Sequence, residues 1–271
     1  MLSVATDYAA DIGSPEAALR GIGRAGFSHV HWCHHWSTDF LYSKPEIEQI
    51  ARWLSDFGLH VIDLHGSSGR EKRWMSGAEY ERLAGLELVR NRIEMTARLG
   101  GDAVIMHIGV EPADPAAAQA FWDLARRTLD EVEPAARGAG VRIALENGVP
   151  TNINSLRRVF ELYTPDFVGL CYDSGHGNIT GNGLDLLDEF KDRLIAIHLH
   201  DNDASADQHR LPGMGTVDWA RLARIVAASA YHKPINLEVS QKNSGFDDEV
   251  RFLAAALEAA SNLAAMVEAQ A

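Results

Sequence analysis

The chain has 271 residues, 46% of them hydrophobic, with 25 Lys+Arg against 38 Asp+Glu and a formal net charge of -13. That length and apolar content suit one large domain with a full core, and the acidic balance argues against a broad nucleic-acid-binding surface. The opening MLSVATDYAADIG lacks a basic segment followed by a long apolar one, so no secretory leader is expected, and no run of about 18 apolar residues predicts a membrane span.

Strand and helix signals alternate from end to end. Leu2 to Thr6 reads as the first strand, followed by a helix from about Ser14, where Ser14-Pro15-Glu16 supplies a capping hydroxyl and an early proline. Ser28 to Cys33 is the second strand; Ser43-Lys44-Pro45-Glu46 then repeats the capping device, and Gly58 stops that helix. His60 to Leu64 is the third strand. A polar, glycine-rich loop leads to Ser76-Gly77-Ala78-Glu79, which reads as a capping box opening a long helix that ends at Leu99-Gly100-Gly101. Asp102 to Met106 is the fourth strand, and a helix from about Asp114 reaches Gly138 and Gly140, adjusted near Pro134. Val141 to Leu145 is the fifth strand, Asn154 to Tyr163 a helix, and Phe167 to Tyr172 the sixth strand. The glycine-rich GHGNITGNG and a short helix from Leu184 to Phe190 follow. Leu194 to Leu199 is the seventh strand, with a long polar loop to Thr216 and a helix opened by Asp218-Trp219. Pro234 to Val239 is the eighth strand, and a final Ala/Leu-rich helix runs from Asp247.

Short apolar strands separated by helices are the signature of a parallel sheet. Eight such units with no domain-sized linker predict an α/β fold, a (β/α)8 barrel forming a single domain over residues 1–271. An open doubly wound sheet is the alternative. No GxGxxG follows the first strand and no GxxxxGK[ST] occurs, so neither nucleotide-binding device is present. Cys33 and Cys171 are expected as two separate buried thiols, which fits a reducing cytoplasm.

Six metal-capable residues close strand-like runs: His65 after HVIDL, His107 after AVIM, Glu146 after VRIAL, Asp173 after FVGLCY, His200 after LIAIHL, and Glu238 within INLEV. His176 lies three residues past Asp173, and Asp207 and His209 occupy the loop after His200. In a closed parallel barrel these strand ends converge on one mouth. The nine oxygen and nitrogen donors therefore predict a divalent-metal site with more than one ion, with Zn2+ or Mn2+ as occupants given the lack of thiolate ligands. His198 is expected on the other side of strand seven as a packing or supporting residue.

GFSHVHWCHHWSTDFLYS and HLHDNDASADQHRLPGMGTVDW resemble the xylose-isomerase-like TIM-barrel superfamily, and the resemblance covers nearly the whole chain. That superfamily holds sugar isomerases and epimerases, inosose dehydratases and type IV apurinic endonucleases; the segments are most similar to the sugar phosphate isomerase/epimerase group. For the epimerase branch, the resemblance implies one metal held by Glu146, Asp173, His200 and Glu238. Glu146 and Glu238 would also exchange protons with a substrate carbon, and His176 would face the substrate. The endonuclease pattern implies three zinc ions on His65, His107, Glu146, Asp173, His176, His200, Asp207, His209 and Glu238, all present here. Where epimerases usually carry an arginine after strand seven, this chain has Asp207-Gln208-His209, with Arg210 just beyond.

Strands five and eight lie on opposite sides of an eight-stranded ring, which suits Glu146 and Glu238 as an acid/base pair acting on two faces of a sugar carbon. Trp32, His34 and Trp36 are candidate substrate contacts, and Asn147 and Asn202 are candidate hydrogen-bond partners beside strand-end donors. The expected function is a metal-dependent isomerase or epimerase of a small sugar or polyol, cytoplasmic and without a membrane partner, with a homo-oligomer left open. The alternatives are a multinuclear zinc phosphoesterase, or a carbohydrate lyase, dehydratase or hydrolase on the same scaffold. A DNA substrate would need phosphate contacts, for which the loops offer only scattered residues such as Arg70, Lys72 and Arg73.

Overall fold

The computed structural model describes residues 1–9 and 13–270. Its elements are β1 (Leu2–Ala5), α1 (Pro15–Ala25), β2 (His29–Trp32), α2 (Lys44–Phe57), β3 (His60–His65), α3 (Glu79–Leu99), β4 (Ala103–His107), α4 (Pro115–Ala139), β5 (Arg142–Glu146) and α5 (Ile153–Leu162). β6 (Val168–Asp173), α6 (Ser174–Thr180), α7 (Gly183–Glu189), a 3-10 turn (Lys191–Arg193), β7 (Leu194–His198), α8 (Trp219–Ala227), β8 (Ile235–Leu237) and α9 (Glu249–Glu268) complete it. All strand pairs are parallel, in the order β7-β6-β5-β4-β3-β2-β1-β8. Leu199 draws the two ends together by accepting from Glu238 N–H and donating to Asn236 O, each at 3.1 Å. The sheet is a nearly closed barrel with helices on its outside, as the alternating pattern requires.

Two register shifts decide which side chains meet inside. Between Val30 and His31 the β2–β3 register slips, so His31 pairs with Asp63. Between Leu170 and Cys171 the β6–β7 register slips, so Asp173 pairs with His198. A slip of one residue exchanges the inner and outer faces of a strand relative to its neighbour. Below the strand-end donors, Ile105, Ala144, Cys171 and Ala196 belong to a small apolar cluster, each two residues before His107, Glu146, Asp173 and His198 respectively. The β8–β1–β2–β3 side is polar: Ser3, His31, Asp63 and Asn236 are fully or almost fully buried, and Ser3 Oγ donates to Asn236 Oδ1 at 2.8 Å.

Most helix ends follow the capping chemistry of the sequence: Ser43 and Glu46 form a capping box, and Asp114 caps α4 through Ala117 N–H at 2.9 Å. The box expected at Ser76 and Glu79 does not form. Ser76 sits two residues before the Ala78 cap; its Oγ accepts from Ala78 N–H and donates to Glu81, while Glu79 pairs with Arg82. α4 continues through Pro134. The glycine-rich GHGNITGNG is largely helical, because the Asp173 carboxylate accepts from His176 N–H at 2.6 Å and caps α6. By length and composition α9 is apolar enough to cross a membrane, but Phe252, Leu253, Ala256, Ala260 and Leu263 are buried, and the helix packs on α1, α8, β1 and β8. Cys33 and Cys171 are buried and not disulfide-bonded.

Candidate metal centre

The strand ends bring together Glu146 of β5, Asp173 of β6, His198 of β7 and Glu238 just past β8, with one donor atom from each lying within 4.8 Å of the others. His198 Nδ1 is 2.8 Å from Glu238 Oε2 and 3.2 Å from Glu146 Oε1. His198, not His200, thus joins the four-residue group, which corrects the expectation that His198 lies on the other side of the strand; His200 keeps its place among the candidate donors, in a group with Asp207 and His209. The physical reason is strand parity: residues two apart share a face, so both histidines turn inward, with His198 one layer deeper. His200 instead sits with Nε2 at 3.1 Å from both Asp173 oxygens, its ring stacked on His209 at 4.0 Å. A Cβ on Gly175 would lie 1.9 Å from His200 Cε1, so this close approach requires a glycine.

Glu146 faces two groups with its two oxygens. Oε2 is 2.8 Å from His107 Nε2 and 3.9 Å from His65 Nε2, while Oε1 faces His198 and lies 3.7 Å from His176 Nδ1. A third group gathers on Asp207, whose Oδ2 is 3.3 Å from His176 Nε2 and 3.0 Å from His209 Nε2. Backbone carbonyls orient three of these rings: His65 Nδ1 donates to Gly66 O at 2.8 Å, His176 Nδ1 to Asn147 O at 2.9 Å and His209 Nδ1 to Glu238 O at 2.9 Å. Each bond leaves Nε2 directed at a carboxylate, the arrangement used by metal-ligating histidines.

These groups polarise one another. Burial alone would raise Glu146 and Glu238, but the neighbouring imidazoles outweigh it, His198 foremost for both, and hold both carboxyls well below their ordinary range. Burial opposes the charged form of His176 and His209; Asp173 and Asp207 overcome it at His176, and Asp207 and Glu238 at His209, raising them to about 11 and about 10. His65, buried and beside His107, is lowered to about 3. Among the described residues, every ion-pair partner of Glu146, Asp173 and Glu238 is an imidazole rather than a lysine or arginine. Buried carboxylates matched only to imidazoles are a donor set that fits divalent cations.

The candidate substrate residues divide. Trp36 lies at the mouth, its ring 4.8 Å from His65 and 6.3 Å from His107. Trp32 is fully buried and donates to Tyr42 Oη at 3.1 Å, so it packs the core instead. His34 lines a separate cavity with Phe40, Tyr42 and Trp53 that contains none of the nine donors in its wall. Asn147 spends its amide on Asp173, accepting from N–H at 2.7 Å and donating to O at 2.9 Å. Asn202 is buried and donates to Gly175 O while accepting from Ala204 N–H and Asn178. Both asparagines hold the scaffold of the site, and Asn147 also lines the cleft beside Glu146 and His176. A cleft of about 440 Å³ runs from His107, Glu146 and His176 to Val110, Val149 and Pro150. Near the mouth, Arg73 is paired with Glu81 at 2.9 Å.

Residues 19–256 match the family model described as xylose isomerase-like TIM barrel. Protein y4fM of Sinorhizobium fredii is 32% identical over 243 residues, covering 80% of this chain and 78% of that protein. Among solved structures, a D-tagatose 3-epimerase-like protein aligns over 100% of this chain and 99% of its own, with a TM-score of 0.80 and 19% identity. The IolI protein with a bound zinc atom aligns over 100% and 99%, with a TM-score of 0.77 and 14% identity. At these identities the two structures show a shared fold.

Proposed function

The chain belongs to the xylose isomerase-like TIM-barrel family, and from that premise we propose that it is a divalent-metal-dependent isomerase or epimerase of a small sugar or polyol. The observation that carries the reading is the convergence of Glu146 and Glu238 on one His198 nitrogen from β5 and from the end of β8. The epimerase-like neighbour and the zinc-bound neighbour support the substrate class and the cofactor. A cation held by Glu146, Asp173, His198 and Glu238 would polarise a substrate carbonyl and its adjacent hydroxyl. Glu238 then takes a proton from the neighbouring carbon, and Glu146 returns one, to the opposite face for epimerisation or to the adjacent carbon for isomerisation. His198 keeps the two carboxylates apart and oriented, while His176 and the wall from Val110 to Pro150 border the substrate. Trp36 covers the His65 side and limits water access.

One observation favours a second reading. The two oxygens of Glu146 face different histidine groups, the geometry of a bridging ligand, and Asp207, His176 and His209 supply further donors. Two or three ions on this set would suit phosphoester hydrolysis, in which the glutamates act as ligands only. Product analysis separates the readings. The zinc- or manganese-loaded protein, incubated with ketoses, aldoses and phosphodiesters, should convert a ketose to its epimer or aldose isomer and leave the phosphodiesters intact.

A further inference from the structure

Beneath the centre, a chain of polar groups runs from the partly exposed Asp102 and Lys233 to the fully buried Asp63 and His31 and is not accounted for by the chemistry above. Lys233 Nζ lies 2.5 Å from Asp102 Oδ1 and 3.2 Å from Asp63 Oδ2, and Asp63 Oδ1 accepts from His31 Nδ1 at 2.6 Å. Asp63 and His31 are 1% and 0% exposed. With Nδ1 committed to Asp63, the other nitrogen of His31 is free to accept. That Nε2 is buried and has no hydrogen-bond partner. The His31 ring centroid is 4.4 Å from that of His198, and donor atoms of His31, His198 and Glu238 lie within 4.8 Å of one another. His198 turns Nδ1 toward the carboxylates, and its Nε2 is likewise buried and partnerless. Two orphaned nitrogens on adjacent rings are complementary, since a ligating imidazole characteristically donates its second N–H to an oriented acceptor. Burying a lysine–aspartate pair is a poor route to stability, and the facing layer manages with Ala144, Cys171 and Ala196.

We propose that His31, oriented by Asp63 and Lys233, is a positioning residue that acts through His198 and Glu238 and fixes the deep side of the metal centre. The inference rests on the metal-centred reading of the site. The β2–β3 register slip, which sets His31 opposite Asp63, is the backbone feature that makes this support available.

The test uses the full chain and Zn2+ affinity measured by chelator competition, together with kcat and KM for a converted ketose. His31→Leu should weaken the tightest zinc by about 10–100-fold and lower kcat, with KM moving less than about threefold. Asp63→Leu should follow it, while Asp63→Asn, whose amide oxygen still accepts from Nδ1–H, should recover most of the lost affinity. If His31→Leu does not fold, the Asp63→Leu/Lys233→Met double variant removes both charges together and should show the same loss. A folded variant that binds zinc within about threefold of the parent chain, or an Asp63→Asn no better than Asp63→Leu, would overturn the proposal. A parent that binds zinc with the expected His31 effect but converts no sugar leaves the positioning role intact and removes the isomerase reading. A parent that binds no zinc removes both.

Discussion

His198 Nδ1 and Glu238 Oε2 meet at 2.8 Å on the floor of the barrel mouth, with Glu146 Oε1 at 3.2 Å from the same nitrogen. A single imidazole thus stands between two buried carboxylates that would otherwise repel. Removing it should harm both the fold and the metal site. His198→Ala should destabilise the metal-free protein by about 3 kcal/mol, because two buried charges lose their shared partner, and should abolish tight metal binding. His200→Ala, which loosens Asp173, should weaken metal binding without abolishing it. Denaturant melts and metal titrations of the two variants check this, and equal effects would contradict the assignment of His198 as the central ligand.

The histidines on the Asp207 side bind protons when no metal is present. Their ordinary value is 6.5, and in the folded chain His176 rises to about 11 and His209 to about 10. A raised imidazole stabilises the fold fully below its unfolded value and loses that contribution as pH rises through its folded value. Glu146 and Glu238 are depressed, so their contribution is present above 4.5 and is lost as pH falls through their folded values. The thermal midpoint of the metal-free protein should therefore decline from pH 6.5 to beyond pH 10, with a shallower decline in His209→Gln. Metal ligation requires deprotonated imidazoles, so binding near pH 8 should release protons, measurable by calorimetry in buffers of different ionisation enthalpy.

Much of the barrel is readable from the sequence, because most helix ends carry a capping side chain or a glycine and most strands are short apolar runs, whereas α5 and α7 have neither device at either end. The centre was readable in part. Strand-end position singled out Glu146, Asp173 and Glu238, but His198 and His200 lie two apart on one face, and only the register slip at Leu170/Cys171 shows which one pairs with Asp173. Asp63 carries a signal of its own: a carboxylate in the middle of HVIDLH has to find a buried partner. Trp32 and Trp36 differ by four positions and look alike in sequence, yet one fills the core and one lines the mouth. Loop geometry after β2 makes that difference, and no short-range pattern encodes it.

Gly175 is the tightest contact in the site, and Gly175→Ala tests whether that packing matters. The added methyl would collide with the His200 ring, and relief requires either ring or α6 to move. The substitution should cost about 1–3 kcal/mol in equilibrium unfolding. It should also weaken metal binding, since Asp173 both caps α6 and contacts His200.

Trp36 should act on substrate rather than on metal. Its ring lies beside His65 and His107 but offers no ligand. Trp36→Ala should raise KM by about tenfold while leaving kcat and metal content near those of the parent, as loss of an apolar wall does when the reacting groups are undisturbed. A fall in kcat with unchanged KM would place Trp36 in the reaction itself.

The central claim is that Glu146 and Glu238 move a proton at the carbon beside a sugar carbonyl, and isotope exchange tests it most directly. Metal-loaded protein incubated with ketose and aldose panels in deuterated water should place deuterium at that carbon. Glu238→Gln should lose the exchange while remaining folded. No exchange with any sugar, together with turnover of a phosphodiester or an abasic DNA strand, would contradict the account and leave both glutamates as ligands of a hydrolytic centre.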